Sequence, residues 1–233
     1  MRVAELFGPT LQGEGPSVGR PAMFVRLWGC NLDCAWCDTP YTWDIRGRNG
    51  TPYTREGEST EQTVEAVHAR LVAAGVPLVV ITGGEPLLQR RAVRDLAIAW
   101  AAPTGQRVEI ETNGTRPPVL DHERVRYNVS PKLGSAATTT PSVLPEVLRQ
   151  YLDLERSDVA FKFVAANLAD LAEAAGVVDG LGVAAERVWI MPEGRDAETL
   201  QAGAATIVDG VLAYGFNLTP RLHVQLWGDT RGT

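Results

Sequence analysis

Long apolar segments and an excess of basic charge are both absent from this chain of 233 residues. No run reaches the roughly 18 apolar residues that a membrane-spanning helix needs, so we expect no membrane partner. The formal net charge is −6, and Lys and Arg are scattered, whereas nucleic-acid-binding proteins usually carry a basic face. The scattered basic charge predicts that the protein binds no nucleic acid. The first five residues include the charged Arg2 and Glu5, which is unlike a secretory signal, so we expect a cytoplasmic protein.

Cysteine is also scarce, and its few copies are clustered. The chain has three, Cys30, Cys34 and Cys37, all on one short segment. An odd number packed this tightly excludes a disulfide framework. In a cytosolic protein such a cluster indicates a metal or redox site.

Apolar runs alternate along the chain with segments of helical periodicity. Several runs are nearly continuous, which is typical of strands buried on both faces of a parallel sheet. The pattern predicts strands at Met23–Gly29, Leu78–Thr82, Arg107–Glu111, Arg126–Ser130, Val159–Val164, Arg187–Met191 and Leu222–Leu226. It predicts helices near Arg91–Trp100, Leu144–Leu152, Leu168–Ala175 and Ala197–Ala213. This alternation predicts an α/β fold, an incomplete, open parallel β/α barrel of about six βα units, in one domain over residues 1–233.

A further helix is predicted after Ser59. Ser59 and Gln62 have the spacing of a capping box, and Val64, Val67 and Leu71 then repeat on one face. Glycine at position 75, followed by proline at 77, predicts where this helix ends.

Polar and glycine-rich residues follow five of the predicted strands. In parallel α/β folds, chemistry collects at the carboxyl ends of the strands. Strand-to-helix turns need Gly, Pro and Asn in any case, but five turns that also carry Glu, Asn, Lys or Cys favour a site. They are Gly29–Cys30, Thr82–Pro86, Glu111–Gly114, Ser130–Lys132 and Met191–Gly194.

The cysteines have the spacing C-x3-C-x2-C over residues 30–37. Three thiolates on one loop can bind three irons of a cubane 4Fe–4S cluster and leave the fourth iron free to bind a substrate or cofactor. A structural zinc is the alternative, and it would need His68, His122 or His223 as its fourth ligand. His68 lies inside a predicted amphipathic helix and His122 in a Pro-rich loop, so neither has helpful spacing, and we favour the cluster.

The combination of motifs is more specific than either motif alone. The cysteine spacing and the Thr82–Pro86 segment resemble the radical S-adenosylmethionine (SAM) superfamily. The flanking sequences resemble the 7-carboxy-7-deazaguanine synthase family within it, and they extend over nearly the whole chain. The matching segments are Leu6–Gly15, Phe24–Leu32, Cys37–Thr39, Glu111–Gly114, Ser130–Lys132, Met191–Gly194 and Leu226–Gly228. Residues 44–57 and the tail after Gly228 do not match.

This resemblance implies a ring contraction of 6-carboxy-5,6,7,8-tetrahydropterin to 7-carboxy-7-deazaguanine with loss of ammonia. The implied cofactors are a 4Fe–4S cluster held by Cys30, Cys34 and Cys37, SAM, and Mg²⁺ held by Thr39. The resemblance also implies a pterin-binding loop at Leu11, Gln12 and Gly13, with Glu14 as a further contact. Further implied substrate contacts are Arg26 as a carboxylate clamp, Thr82 and the carboxy-terminal Thr233.

The resemblance places the remaining site residues around SAM. Gly83, Gly84 and Glu85 would receive its amino group, Ser130, Pro131 and Lys132 its carboxylate, and Trp36 and Asp38 would flank it from the cysteine loop. Glu111 and Asn113 either bind its ribose or cap a loop, and Lys162 would face the same cavity.

Other functions stay open at the level of sequence. A glycyl-radical-enzyme activating protein would share the cysteine loop but leave Gln12, Arg26 and Thr39 unexplained. A non-catalytic iron–sulfur electron carrier or a zinc-stabilised domain would need no SAM. For the favoured function the resemblance implies an electron donor such as flavodoxin or ferredoxin, and a homodimer.

Overall fold

The computed structural model describes the backbone of residues 1–233 and all side chains except those of 102–104. Its centre is a nine-stranded sheet in the order β3-β1-β2-β4-β5-β6-β7-β8-β9. From β2 to β9 every neighbouring pair is parallel, and β1 and β3 add an antiparallel margin. The strands are β1 Arg2–Leu11, β2 Pro21–Leu27, β3 Thr60–Glu61, β4 Leu78–Gly83, β5 Arg107–Thr112, β6 Val125–Val129, β7 Asp158–Ala165, β8 Val188–Pro192 and β9 Asn217–Leu218.

Helices connect the parallel strands, and the two margins of the sheet do not pair, so the barrel is open as predicted. The helices are α1 Arg55–Glu58, α2 Val64–Ala74, α3 Arg90–Thr104, α4 Pro145–Leu152, α5 Leu168–Leu181, α6 Ala197–Tyr214 and α7 Leu222–Trp227. No helix among the described residues is long and apolar enough to cross a membrane.

Two local predictions are wrong. Residues 222–226 were expected to form a strand, but they form part of helix α7. The prediction failed because alternation of apolar residues over so short a segment does not distinguish a strand from a helix. In the helix Val224 is buried, while Leu226 and Trp227 are exposed. Helix α2 is capped by Thr63, whose side chain accepts from the backbone N–H of Ala66, and not by a capping box that begins at Ser59.

Strand β1 and the short strands β3 and β9 were not predicted. Gly8 and Pro9 interrupt the apolar alternation of β1, and both residue types are unfavourable inside a strand. Gly75 does end α2 as predicted, in the left-handed conformation at φ 64°.

The two faces of the parallel strands have different partners. On β5 and β6, Val108, Ile110, Tyr127 and Val129 pack into the main core with residues of the surrounding helices. Because successive side chains of a strand point to opposite faces, the residues between them point into the barrel. The barrel interior is therefore the face that can build a site.

Candidate active site

A cavity of about 450 Å³ lies at the carboxyl ends of the parallel strands, inside the barrel. It brings together nearly every residue proposed from the sequence, from the amino-terminal loop to the last residue. These are Leu11, Gln12, Gly13, Glu14, Arg26, Cys30, Cys34, Trp36, Cys37, Asp38, Thr39, Thr82, Gly83, Gly84, Glu111, Asn113, Ser130, Lys132, Lys162 and Thr233. The predicted substrate and cofactor residues thus share one space, whereas Glu85 and Pro131 are not among its lining residues.

The cysteine loop is held by hydrogen bonds, by apolar contacts and by an ion pair of Asp33 with Arg48. The backbone N–H of Ala35 donates to the carbonyl of Ala136 at 2.9 Å. Leu32 and Cys34 pack with Ala136 beneath the loop. Burial raises the pKa of the Cys30 thiol to about 12, and it raises the pKa values of Cys34 and Cys37 as well. Each thiol therefore becomes a thiolate most readily as a metal ligand.

N–H groups approach two of the sulfurs. The indole of Trp43 donates to Cys37 Sγ at 3.2 Å, and the backbone N–H of Leu32 donates to Cys30 Sγ at 3.4 Å. N–H donors of this kind are a common feature of iron–sulfur sites. All three cysteines are free of disulfides. Three free thiols that line one cavity, two of them with N–H donors, form a donor set that fits a 4Fe–4S cluster with one open iron.

The zinc alternative finds no matching geometry in the described part of the chain. There, no group of three or more His, Cys, Asp or Glu side chains could hold one metal ion. His68 packs against Trp100 on the helical side, with ring centroids 6.3 Å apart. Of the histidines, only His223 lines the cavity.

Gly83 and Gly84 let the end of β4 approach the cysteine loop closely. A Cβ on Gly84 would lie 2.4 Å from the carbonyl oxygen of Gly29 and 2.7 Å from Cβ of Cys30. A Cβ on Gly83, where φ is 149°, would lie 2.2 Å from the carbonyl oxygen of Leu27. Both positions therefore require glycine so that the backbone of the loop fits against the strand end.

Glu85 organises the neighbouring turns from below the cavity. Its carboxylate accepts from the backbone N–H groups of Leu87 and Asn113 at 2.9 and 2.7 Å, and from the Thr112 hydroxyl at 2.9 Å. It is only 1% exposed, and burial raises its pKa. Glu85 therefore positions the loop that carries Asn113, and Asn113 lines the cavity.

Glu14 forms the centre of a buried ionic network. Its Oε2 pairs with Nζ of Lys162, and its Oε1 accepts from Nε of Arg221 at 3.0 Å. Arg221 also pairs with Asp38, the residue after the last cysteine, and donates to the carbonyl of Gly194 at 2.9 Å. Burial acts to raise the pKa of Glu14, but the charges of Lys162 and Arg221 outweigh it and hold this pKa far below its ordinary range. Glu14 is therefore an ionised, fixed carboxylate.

Arg26 is held by a second acidic centre at the edge of the sheet. Its Nε donates to Glu5 at 2.9 Å, and the Tyr41 hydroxyl donates to the same carboxylate at 2.7 Å. Arg231 of the carboxy-terminal tail donates to Glu5 at 2.5 Å and to Glu58 at 2.9 Å. Its guanidinium also lies 3.8 Å from the centre of the Tyr41 ring. The tail is thus fixed beside the predicted carboxylate clamp.

Glu111 joins two of the predicted substrate residues. Its carboxylate accepts from Nε2 of Gln12 at 3.1 Å and from the Thr82 hydroxyl at 2.9 Å. Asn113, the other residue proposed for the ribose, donates to Asn31 of the cysteine loop at 3.3 Å. Glu111 therefore faces the substrate residues, and Asn113 faces the cysteine loop.

Several cavity residues were not found by sequence reasoning, notably Tyr41, Asn128, Arg221, His223 and Arg231. Arg221 flanks the strand predicted at Leu222–Leu226 and His223 lies within it, so the sequence does not indicate that they lie beside Gly13 and Glu14. A Cβ on Gly13 would lie 1.9 Å from Nδ1 of His223, so glycine is required for α7 to contact this loop. Only the proximity of Arg231 to the chain end could have suggested it.

Comparisons with known proteins agree with this geometry. The family model "Radical SAM superfamily" matches residues 28–141, which include the cysteine loop and the ends of β4, β5 and β6. The 7-carboxy-7-deazaguanine synthase of Pyrobaculum aerophilum is 38% identical, with 100% of this chain and 97% of that protein covered. The protein of the same name from Hyperthermus butylicus is also 38% identical, over 96% of this chain and 92% of that protein.

A solved structure shares the whole architecture. The crystal structure of QueE from Escherichia coli superposes with a TM-score of 0.71 at 26% identity. The match covers 95% of this chain and 94% of that one. The likeness therefore extends over nearly the whole chain and well beyond the cysteine loop.

Proposed function

The chain belongs to the 7-carboxy-7-deazaguanine synthase family of radical SAM enzymes, and we propose that it converts 6-carboxy-5,6,7,8-tetrahydropterin to 7-carboxy-7-deazaguanine. The reaction contracts a ring and releases ammonia, which makes the enzyme a lyase. The observation that carries this proposal is a single cavity in which the three cysteines face Gln12, Glu14 and Arg26. The product would enter 7-deazapurine biosynthesis of the queuosine type.

The cofactor end of the cavity would hold the cluster and SAM. Cys30, Cys34 and Cys37 would bind three irons, and Lys132 would pair with the SAM carboxylate. When bound, the cluster and SAM would supply the radical chemistry needed to remove a hydrogen atom from C6 of the substrate. The chain's part is to orient the reacting atoms and exclude water.

The substrate end would fix the pterin by charge and by hydrogen bonds. Arg26 would bind the substrate carboxylate with its planar guanidinium, while Glu5 keeps its Nε oriented. Gln12 and Glu14 would contact the ring, and both are already held by partners within the chain. Thr39 would bind Mg²⁺ together with substrate oxygens, since Mg²⁺ usually takes only one or two protein ligands.

A glycyl-radical activating protein fits the cavity less well. Such an enzyme must admit a polypeptide segment from its partner, whereas residues 229–233 of this chain line the cavity and Arg231 ties them to Glu5 and Glu58. Charged residues such as Arg26 and Lys162 also suit a small carboxylated substrate better than a glycine backbone.

Three further properties complete the proposal. The chain acts as one domain over residues 1–233, it assembles as a homodimer, and a cytoplasmic flavodoxin or ferredoxin reduces its cluster. Sedimentation of the loaded protein would test the assembly. Turnover supported by each purified donor in place of dithionite would identify the reductant class.

The decisive experiment is anaerobic turnover of reconstituted protein with 6-carboxytetrahydropterin, SAM, dithionite and Mg²⁺. We expect 7-carboxy-7-deazaguanine by chromatography, and no product from Cys30→Ala, which lacks an iron ligand. His122→Ala serves as the matched control and should keep full iron content and activity, because His122 lies outside the cavity lining. A cluster-loaded wild type that cleaves SAM but leaves the pterin intact would overturn the substrate assignment.

A further inference from the structure

Among the described residues inside the barrel, Asn128 has a buried hydrogen-bond acceptor without a hydrogen-bond partner. The residue is 3% exposed, lies on β6 and lines the cavity. Its Nδ2 donates to Oε2 of Glu109 at 3.0 Å, while its Oδ1 has no hydrogen-bond partner in the described structure. A buried polar group without a partner costs stability, and such groups are rare outside functional sites.

The orientation of this amide is fixed by Glu109. Glu109 is fully buried and accepts from Nη1 of Arg126 at 3.0 Å, from Nε2 of Gln12 at 3.4 Å and from the Ser17 hydroxyl. Because a carboxylate only accepts hydrogen bonds, the amide must turn its NH₂ group toward Glu109. The carbonyl oxygen of Asn128 is therefore the group left for another donor.

Asn128 also lies at the level of the proposed substrate residues. In the sheet register Arg26 is beside Thr82, and Glu111 is beside Asn128. The Thr82 hydroxyl donates to Glu111 at 2.9 Å, which joins the two pairs into one row across β2, β4, β5 and β6. Arg26 stands at one end of this row and Asn128 at the other.

This row has a direction that suits the substrate. About three strand spacings of roughly 4.8 Å separate β2 from β6 along the sheet, and the curvature of the barrel shortens that distance. With the substrate carboxylate on Arg26, the bicyclic ring extends over Thr82 and Glu111 toward β6. A tetrahydropterin carries N–H groups on its ring nitrogens and an exocyclic amino group, and all of them are donors.

We propose that Asn128 Oδ1 accepts a hydrogen bond from an N–H group of the pterin ring and so contributes to selection of a substrate with a donor at that position. This inference rests on the proposed function. Glu109 acts through Asn128 as a positioning residue, because it binds the amide NH₂ group and leaves Oδ1 available. The pairing would satisfy the buried oxygen, and a ring with an acceptor at that position would be rejected.

The test compares Asn128→Ala with wild type and with Val129→Ala. Val129 is the adjacent residue of β6 but packs into the helical core, so its truncation reports on weakening of the strand alone. We expect Asn128→Ala to raise the KM for the pterin about tenfold, because the variant loses one buried hydrogen bond to the substrate. The KM for SAM and the substrate-independent cleavage of SAM should stay within about twofold of wild type, as should the pterin KM of Val129→Ala.

Each outcome has a separate meaning. A wild-type enzyme that forms no 7-carboxy-7-deazaguanine would refute the proposed function. If wild type is active and Asn128→Ala keeps the wild-type KM for the pterin, the inference is wrong. If Asn128→Ala fails to fold, Asn128→Val takes its place, because a β-branched side chain suits a strand and also removes the acceptor.

Discussion

The two ends of the cavity differ in what fixes the charge of the groups that face it. At the cluster end, the segment Cys30–Cys37 is held by hydrogen bonds, apolar contacts and an ion pair of Asp33 with Arg48, and burial raises the pKa of each thiol. At the substrate end, Glu14 forms largely buried ion pairs with Lys162 and Arg221, and Arg221 also pairs with the partly exposed Asp38 beside the cysteine loop. The substrate end is therefore organised by the chain itself, whereas the cluster end gains its charged form with the metal.

The largest effect should follow from removal of Arg221, which joins the two ends. In Arg221→Met the side chain no longer pairs with Asp38 or with Glu14, and Glu14 keeps only Lys162 as a cationic partner at a site where it is largely buried. We expect the free energy of unfolding to fall by about 2 kcal/mol, measured by urea denaturation. We also expect more 5′-deoxyadenosine per 7-carboxy-7-deazaguanine, because Glu14 and Asp38 are no longer held together.

Arg221→Lys is the informative companion to this variant. A lysine keeps the charge but lacks the fork of N–H groups that reaches Glu14, Asp38 and the carbonyl of Gly194 at once. It should recover part of the stability but little of the coupling between SAM cleavage and product formation. If both variants behave like wild type, the two ends of the cavity are independent.

The same contrast explains what could be predicted from the sequence. The cysteine loop is a local pattern, and the six principal parallel strands follow from apolar runs, so both were found. The Glu14 network was not, because Lys162 lies 148 residues from Glu14 in the chain and Arg221 lies 207 residues from it. No spacing rule connects such residues, and only the curvature of the open sheet and the turn into α7 bring them together.

Short segments account for the local errors. Leu222–Trp227 alternates like a strand, yet its backbone continues into a helix that contacts Gly13. Glu85 belongs to a motif that resembles a cofactor-binding segment, but its carboxylate is occupied by Thr112 and the backbone of Asn113. In both segments the orientation of the side chains depends on tertiary packing, which a local sequence pattern does not contain.

An intermediate effect should appear in the pH dependence of stability. The pKa of Glu14 is lowered, so its ionised form stabilises the fold above the ordinary value of 4.5, and this contribution is lost as the pH falls toward the folded-state pKa. Glu14→Gln should therefore be less stable than wild type at neutral pH, and the difference should shrink below pH 4.5. Urea denaturation over this range, with Glu186→Gln as an exposed control, measures the effect. A constant difference at every pH would contradict the network.

The smallest effect should come from the tail, where charge is only partly buried. The Arg231 side chain is 46% exposed, and ion pairs of that kind contribute little to stability. Arg231→Ala should still release residues 229–233 from Glu5 and Glu58 and raise the KM for the pterin about threefold, with kcat unchanged. Arg91→Ala, which removes an exposed ion pair on α3, should leave the KM unchanged. An unchanged KM in Arg231→Ala as well would mean that the tail lines the cavity without closing it, because Arg26 and Tyr41 would then keep Glu5 in place alone.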